Sequence, residues 1–145
     1  MKVPHETSIE LQVGVKVLLK NKEGKYLLVA RNPKKYPEIG LKWDIVGGRI
    51  KPGTPLLDNL HREVMEETGL KISSEPKLVA AQDILRVHMK HIVRLTYIAE
   101  ANGSPTMDDE SIKWKWFTCN EILEIDKKML DQYLYELIEK GIIVL

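Results

Sequence analysis

The sequence predicts a mixed α/β (α+β) protein: a mixed β-sheet with helices packed on its faces. Two observations predict it. Valine- and leucine-rich runs bounded by turn residues outnumber helical patterns. The helical patterns also stand at separated places in the chain. In chain order, Glu10–Lys20 reads as a strand, Asn21-Lys22-Glu23-Gly24 as a turn and Lys25–Arg31 as the partner strand of a hairpin. Asn32–Leu41 holds two prolines and a glycine and reads as a surface loop. Trp43–Val46 is a short apolar run that stops at Gly47-Gly48. A helix follows, with Thr54 suited to the N-cap and Pro55 to the first helical position. Leu57, Leu60, Val64 and Thr68 recur with helical spacing, and Gly69 stops the helix.

Lys77–Leu85 and His91–Ala101 read as two more strands, and Asn102–Asp109 as a polar loop. Ile112, Trp114 and Trp116 alternate with lysines, the pattern of a half-buried strand. Thr118 with Glu121 three residues on reads as a capping box opening a short helix. Lys127–Lys140 reads as one amphipathic helix ended by Gly141, with Met129, Leu130, Tyr133, Leu134, Leu137 and Ile138 on one face. That stripe serves either the core or a dimer face.

The 145 residues fit one domain, 1–145, long enough to bury a sizeable core. With 22 Lys+Arg against 21 Asp+Glu the net charge is +1, which argues against nucleic acid as a bulk electrostatic partner. Cys119 is the only cysteine, so no internal disulfide and no multi-Cys zinc site is available. It has no evident base beside it and reads as an inert thiol. No apolar stretch is long enough to span a bilayer, and no secretory signal is visible, so a cytoplasmic protein is expected.

Chemistry concentrates in Gly47–Leu70. Glu63, Glu66 and Glu67 stand at i, i+3 and i+4, within one sector of a helix about 100° wide. Leu57, Leu60 and Val64 hold the neighbouring sector, so the helix can bury its apolar stripe and still present three carboxylates to a cleft. Like charges at this spacing cost a helix roughly 0.2–0.5 kcal/mol per pair, and a bound cation reverses the sign. Carboxylates with a backbone carbonyl make an all-oxygen set suited to Mg2+ or Mn2+, which substrate phosphates usually complete. The plainer reading is a solvated acidic face.

The surrounding residues resemble the Nudix box, G-x5-E-x7-R-E-U-x-E-E-x-G-U, where U is bulky and apolar. Gly48, Arg62, Glu63, Val64, Glu66, Glu67, Gly69 and Leu70 match it at the correct spacing. The run Lys25–Arg31 and Trp43-Asp-Ile-Val-Gly-Gly48 are similar to the family's approach to the box. Glu110, six residues before Trp116-Phe117, is similar to its downstream acid and aromatic strand. Thr54 departs from the pattern, standing where the box has its first Glu, which in the family helps anchor the Arg. Asp58, four residues before Arg62, is the expected substitute anchor. Val46 stands where the family commonly has Pro.

The resemblance implies an α/β/α sandwich around a mixed sheet, with a catalytic loop–helix–loop at about Gly48–Leu70. It implies a Mg2+- or Mn2+-dependent pyrophosphohydrolase of a nucleoside diphosphate linked to another moiety. Glu66 and Glu67 would be metal ligands, helped by the Gly48 carbonyl; Glu63 would be a ligand or the base. Arg62 would hold the carboxylates in register, and Glu110 would be a further ligand or base. Glu67→Gln is expected to lower turnover by orders of magnitude with little loss of stability. Arg31 and Arg49 are candidates for substrate phosphate and Trp43 for stacking on a base, against plain surface charge and core packing. The competing class is a Nudix-fold module that senses a nucleotide with weak turnover, because Thr54 weakens the frame. His88 and His91 stand three apart; if their segment is extended, they point to opposite faces and cannot share an ion.

Overall fold

The computed structural model describes residues 8–34, 42–107 and 111–145, without the Ile112 side chain. Its spine is β1 (Glu10–Lys20). This strand runs parallel to β6 (Lys90–Glu100) along its whole length, from Glu10 against Lys90 to Lys20 against Glu100. Its other edge is shared. β4 (Val46–Arg49) pairs antiparallel with Gly14–Val17, and β2 (Tyr26–Arg31) begins at Lys20 against Tyr26. β2 also carries β3 (Trp43–Asp44) and β7 (Ser111–Phe117), both antiparallel. β5 (Lys77–Ile84) closes the far side against β6. The sheet is therefore mixed, as expected.

Both faces are covered. Val15, Val17 and Leu19 of β1 pack with Leu60 and Val64 of helix α1 (Leu56–Thr68) on one face. Leu18, Leu28 and Ile45 pack with Ile122 of helix α2 (Cys119–Leu123) and with Leu134 and Leu137 of helix α3 (Gln132–Glu139) on the other. β1 is buried on both faces, so it reads as a continuous Val/Leu run. No helix among the described residues is long and apolar enough to cross a membrane.

Local chemistry sets the turns. The Asn21 side chain accepts the N–H groups of Glu23 and Lys25, closing the hairpin turn. The expected capping box is present: Thr118 Oγ1 accepts the Glu121 N–H and Glu121 Oε1 accepts the Thr118 N–H. Three elements differ from the sequence expectation. The strand after Ile45 does not stop at Gly47-Gly48 but runs through them to Arg49. The N-cap position of α1 falls to Pro55, which offers no side-chain cap. Lys127–Lys140 is not one helix. A 3-10 turn, Lys127–Met129, is followed by extended Leu130, whose neighbour Asp131 donates its N–H to the Trp43 carbonyl. Asp131 then caps α3 by accepting the Tyr133 and Leu134 N–H groups. Leu130, Tyr133, Leu134 and Leu137 are buried, so the apolar stripe packs in the core.

Beneath α3 lies a buried ion network. Arg94 donates to both Asp44 oxygens, at 3.0 and 3.3 Å, and meets Asp131 at 3.2 Å. Lys16 reaches Asp44 at 3.3 Å and donates to the Ile45 carbonyl. Burial pushes the Asp44 carboxyl up, but the Arg94 guanidinium and Lys16 ammonium pull it further down, well below the usual carboxylate range. Asp131 goes the other way: burial and the Asp44 charge raise it. The signs fix a pH dependence. Asp44 contributes stability that is present above the unfolded carboxyl pKa of about 3.9 and lost as pH falls toward its folded value. The raised Asp131 opposes it, favouring the fold at low pH and losing that contribution as pH rises through its folded pKa. Urea unfolding between pH 5 and pH 2 is expected to show a steeper acid loss in the wild type than in Asp44→Asn. Equal slopes would mean that Asp44 is not held charged.

Candidate active site

The end of β4, the loop after it and α1 form one unit. Lys51–Thr54 is a turn with Pro52 and Gly53 at its corners, closed by the Thr54 N–H on the Lys51 carbonyl. Gly53 has φ 85°, the conformation such a turn asks of its third residue. Gly47 has φ 143°, and a Cβ there would fall on the Val15 carbonyl of β1. The bare backbone lets Gly47 offer its N–H to Glu67 Oε2 at 3.1 Å and its carbonyl to Arg31 Nη2 at 3.1 Å. Arg31 Nη1 meets Glu67 Oε1 at 3.0 Å, and both side chains are largely buried. Glu67 is thus turned inward, its two oxygens held by an arginine and a backbone N–H.

Glu63 and Glu66 meet a different arginine. Arg62 Nη1 lies 2.8 Å from Glu63 Oε1 and 3.2 Å from Glu66 Oε2, so two carboxylates converge on one guanidinium nitrogen. Among the described residues no donor is bonded to Glu63 Oε2 or Glu66 Oε1. Glu63 lies against Gly48: a Cβ on that glycine would stand 2.5 Å from Glu63 Oε2. Gly48→Ala is therefore expected to push the Glu63 carboxylate aside. Turnover should fall by roughly 100-fold, the scale of a 1 Å misplacement. The melting temperature should barely move, because the displaced group is the end of a side chain. Full turnover in Gly48→Ala would show that the contact does not matter.

Arg62 is not held by Asp58, which is exposed. Its Nη2 donates to Asn59 Oδ1 at 2.9 Å and lies 3.4 Å from the Arg49 carbonyl. Sequence reasoning missed Asn59. The signal available was an Asn immediately before Leu60 and three residues before Arg62, within reach of the guanidinium on the same helix.

The other candidates separate. Arg31 binds Glu67 and Gly47 as above. Arg49 is exposed, with its guanidinium on Gln12 Oε1 at 2.7 Å. Trp43 packs edge-on against Phe117 in the core on the α3 face, opposite α1. Trp116 is instead the partly buried aromatic packed on the α1 face, its Nε1 donating to the Gly103 carbonyl at 2.9 Å, while exposed Trp114 pairs with Val29 two residues before Arg31. Glu110 lies outside the described residues, as do parts of the Asn32–Lys42 and Asn102–Asp109 loops. His91 pairs with Asp83 at 2.7 Å, while His88 sits in the turn before β6. Among the described residues no three His, Cys, Asp or Glu side chains converge closely enough to hold a metal ion. The three box carboxylates are brought together as a pair plus one.

A mixed sheet whose Gly-Gly strand leads through a short loop into a helix bearing Arg-Glu-x-x-Glu-Glu defines a class. The NUDIX domain family model matches residues 10–140, and the chain belongs to the Nudix family. It is 26% identical over 105 residues to a Mus musculus protein described as oxidized purine nucleoside triphosphate hydrolase, covering 67% of this chain and 62% of that one. It is 27% identical over 104 residues to an uncharacterized Nudix hydrolase, YvcI, of Bacillus subtilis (strain 168), covering 68% and 65%. The chain thus spans less than two thirds of the length of these curated relatives. The solved structure of a MutT protein from Methanosarcina mazei Go1 superposes with a TM-score of 0.78 at 23% identity, over 91% of this chain and 93% of that one. That likeness is one of fold.

Proposed function

We propose that the protein is a divalent-metal-dependent pyrophosphohydrolase acting on a nucleoside diphosphate linked to another moiety. The observation that carries this reading is the convergence of Glu63 and Glu66 on one Arg62 nitrogen, beside Gly48. The donor set fits Mg2+ or Mn2+. These ions take hard oxygens, and Mg2+ is usually held by one or two carboxylates plus substrate phosphates rather than by an all-protein cage. Glu63 and Glu66, with the Gly48 carbonyl, would hold the ion. When bound it would neutralise phosphate charge and lower the pKa of water.

The chain's own residues supply the rest. Arg62 keeps the two carboxylates in register and offsets their mutual repulsion. Glu63, pinned by Gly48, is placed either to ligate or to take a proton from the attacking water. Glu67 is given a ligand role by the box, and its pairing with Arg31 and the Gly47 N–H ties the helix to β4. Glu110 remains part of the proposal as a further ligand or base. A partner nucleotide is expected, with no nucleic acid or membrane, in the cytoplasm.

The test is a panel of nucleoside triphosphates (oxidised purines included), ADP-ribose, nucleotide sugars and dinucleoside polyphosphates, with products identified. Turnover of at least one, abolished by EDTA and restored by Mg2+ or Mn2+, is expected. Tight nucleotide binding without turnover across the panel would favour the sensor reading instead. The Thr54 departure supports that second reading; the Asn59 contact to Arg62 speaks against it.

A further inference from the structure

We propose that Asn59 is the positioning residue of this site, tying the Lys51–Pro55 loop and the Arg62 guanidinium to the first turn of α1. The proposal rests on the hydrolase reading above and names what holds its carboxylates in place. Asn59 is fully buried. Its Oδ1 accepts from the Lys51 N–H at 2.9 Å and from Arg62 Nη2 at 2.9 Å. Its Nδ2 donates to the Thr54 carbonyl at 2.9 Å and to the Pro55 carbonyl at 2.8 Å. Two acceptor sites and two donors are the whole capacity of a primary amide, and all four are used.

That pattern admits one side chain in one orientation. Flipping the amide would put Oδ1 against two carbonyl oxygens and Nδ2 against two donors. Aspartate keeps the acceptors but sets a second oxygen against the same carbonyls. Alanine orphans a backbone N–H and the inner end of Arg62. Asn59 is also neutral. It holds Arg62 by Nη2 without competing for its charge, so Nη1 stays directed at Glu63 and Glu66. One residue thereby replaces the anchoring that the box assigns to a glutamate at position 54, and does so from inside the helix.

The test uses the full chain in three variants. Asn59→Ala is expected to lower hydrogen-exchange protection of the Lys51 amide at least tenfold. It should also lower kcat tenfold to 100-fold with the nucleotide KM within threefold. Thr54→Glu added to Asn59→Ala is expected to regain at least half of the lost kcat on a logarithmic scale, because it readdresses Arg62, while leaving Lys51 unprotected. A merely structural role would not be rescued that way. Thr54→Glu alone decides the matter should Asn59→Ala not fold: with Arg62 already held by Asn59, it should change kcat less than threefold and leave Lys51 protection at the wild-type level. Unchanged Lys51 protection and kcat in Asn59→Ala, or no rescue by Thr54→Glu, overturns the proposal, as does a tenfold or greater rise of kcat in Thr54→Glu alone. If the wild type turns over nothing, the hydrolase reading fails, while the Lys51 exchange signal still decides where Asn59 acts.

Discussion

Glu67→Gln is expected to destabilise the protein as well as to reduce its turnover. The helix spacing alone argues that removing one of three like charges is harmless. The geometry reverses that argument, because Glu67 is 2% exposed and paired with Arg31 at 3.0 Å. Glutamine can still accept the Gly47 N–H, but it takes the Glu67 charge away from the largely buried Arg31 guanidinium. Removing one partner of a buried pair costs about 3–5 kcal/mol. For a chain of this size that is a fall of roughly 10 °C or more in melting temperature. Removing both partners is cheaper: Arg31→Met with Glu67→Gln is expected to recover much of the loss, since no charge is then stranded. Calorimetry on the wild type, both single variants and the double variant closes the cycle. Additive losses would mean that the pair is not coupled. Turnover should stay low in the double variant, because the carboxylate assigned to the ion is missing in both.

Arg94→Ala is expected to be the most damaging change in the molecule away from the carboxylate helix. Arg94 is 4% exposed and neutralises Asp44 and Asp131 together. Its loss leaves two carboxylates under α3 with Lys16 as the remaining ion-pair partner of Asp44 among the described residues, and a cost at or above the same 3–5 kcal/mol follows. The acid response should also weaken. In the wild type Asp44 is held charged, and its contribution is lost as pH falls. Without the guanidinium, Asp44 keeps Lys16 but loses the charge that lowers its carboxyl most, while burial still raises Asp131, so the variant should lose less stability than the wild type from pH 5 toward pH 3. Thermal unfolding at the two pH values is the measurement. A variant that melts within 2 °C of the wild type would show that the network contributes little.

Local patterns carried well from sequence to structure, and long-range polar ones did not. The hairpin at Asn21–Gly24, the stop at Gly69 and the Thr118–Glu121 box each depend on residues within a few positions of one another. Asp131 is the contrary case. Its neighbours Met129, Leu130, Tyr133 and Leu134 keep a helical period straight through it, yet Arg94 and the Trp43 backbone hold it as a cap, and the helix starts over. The pairing of Lys16, Asp44 and Arg94 leaves no mark in the sequence, because their contacts cross strands far apart in it. The glycines at 47 and 48 read as a break, whereas β1 accepts them as a strand. At the candidate site the box residues could be listed from spacing. Their division into a pair on Arg62 and a single on Arg31 could not, because it is decided by Arg31 and Gly47 on other strands. Asn59 was hidden for the same reason, its partners being mostly backbone.

The parallel pairing of β1 with β6 has a consequence for how the molecule is made. One edge of β1 has no partner until Lys90–Glu100 has been synthesised. At ribosomal speeds of about 5–20 residues per second that is a wait of roughly 4–16 s. Throughout it the nascent chain shows a valine-rich ribbon with unsatisfied peptide groups, open to any passing strand. Yield in the cell should therefore depend on holding chaperones and on growth temperature more than the finished protein's own durability would suggest.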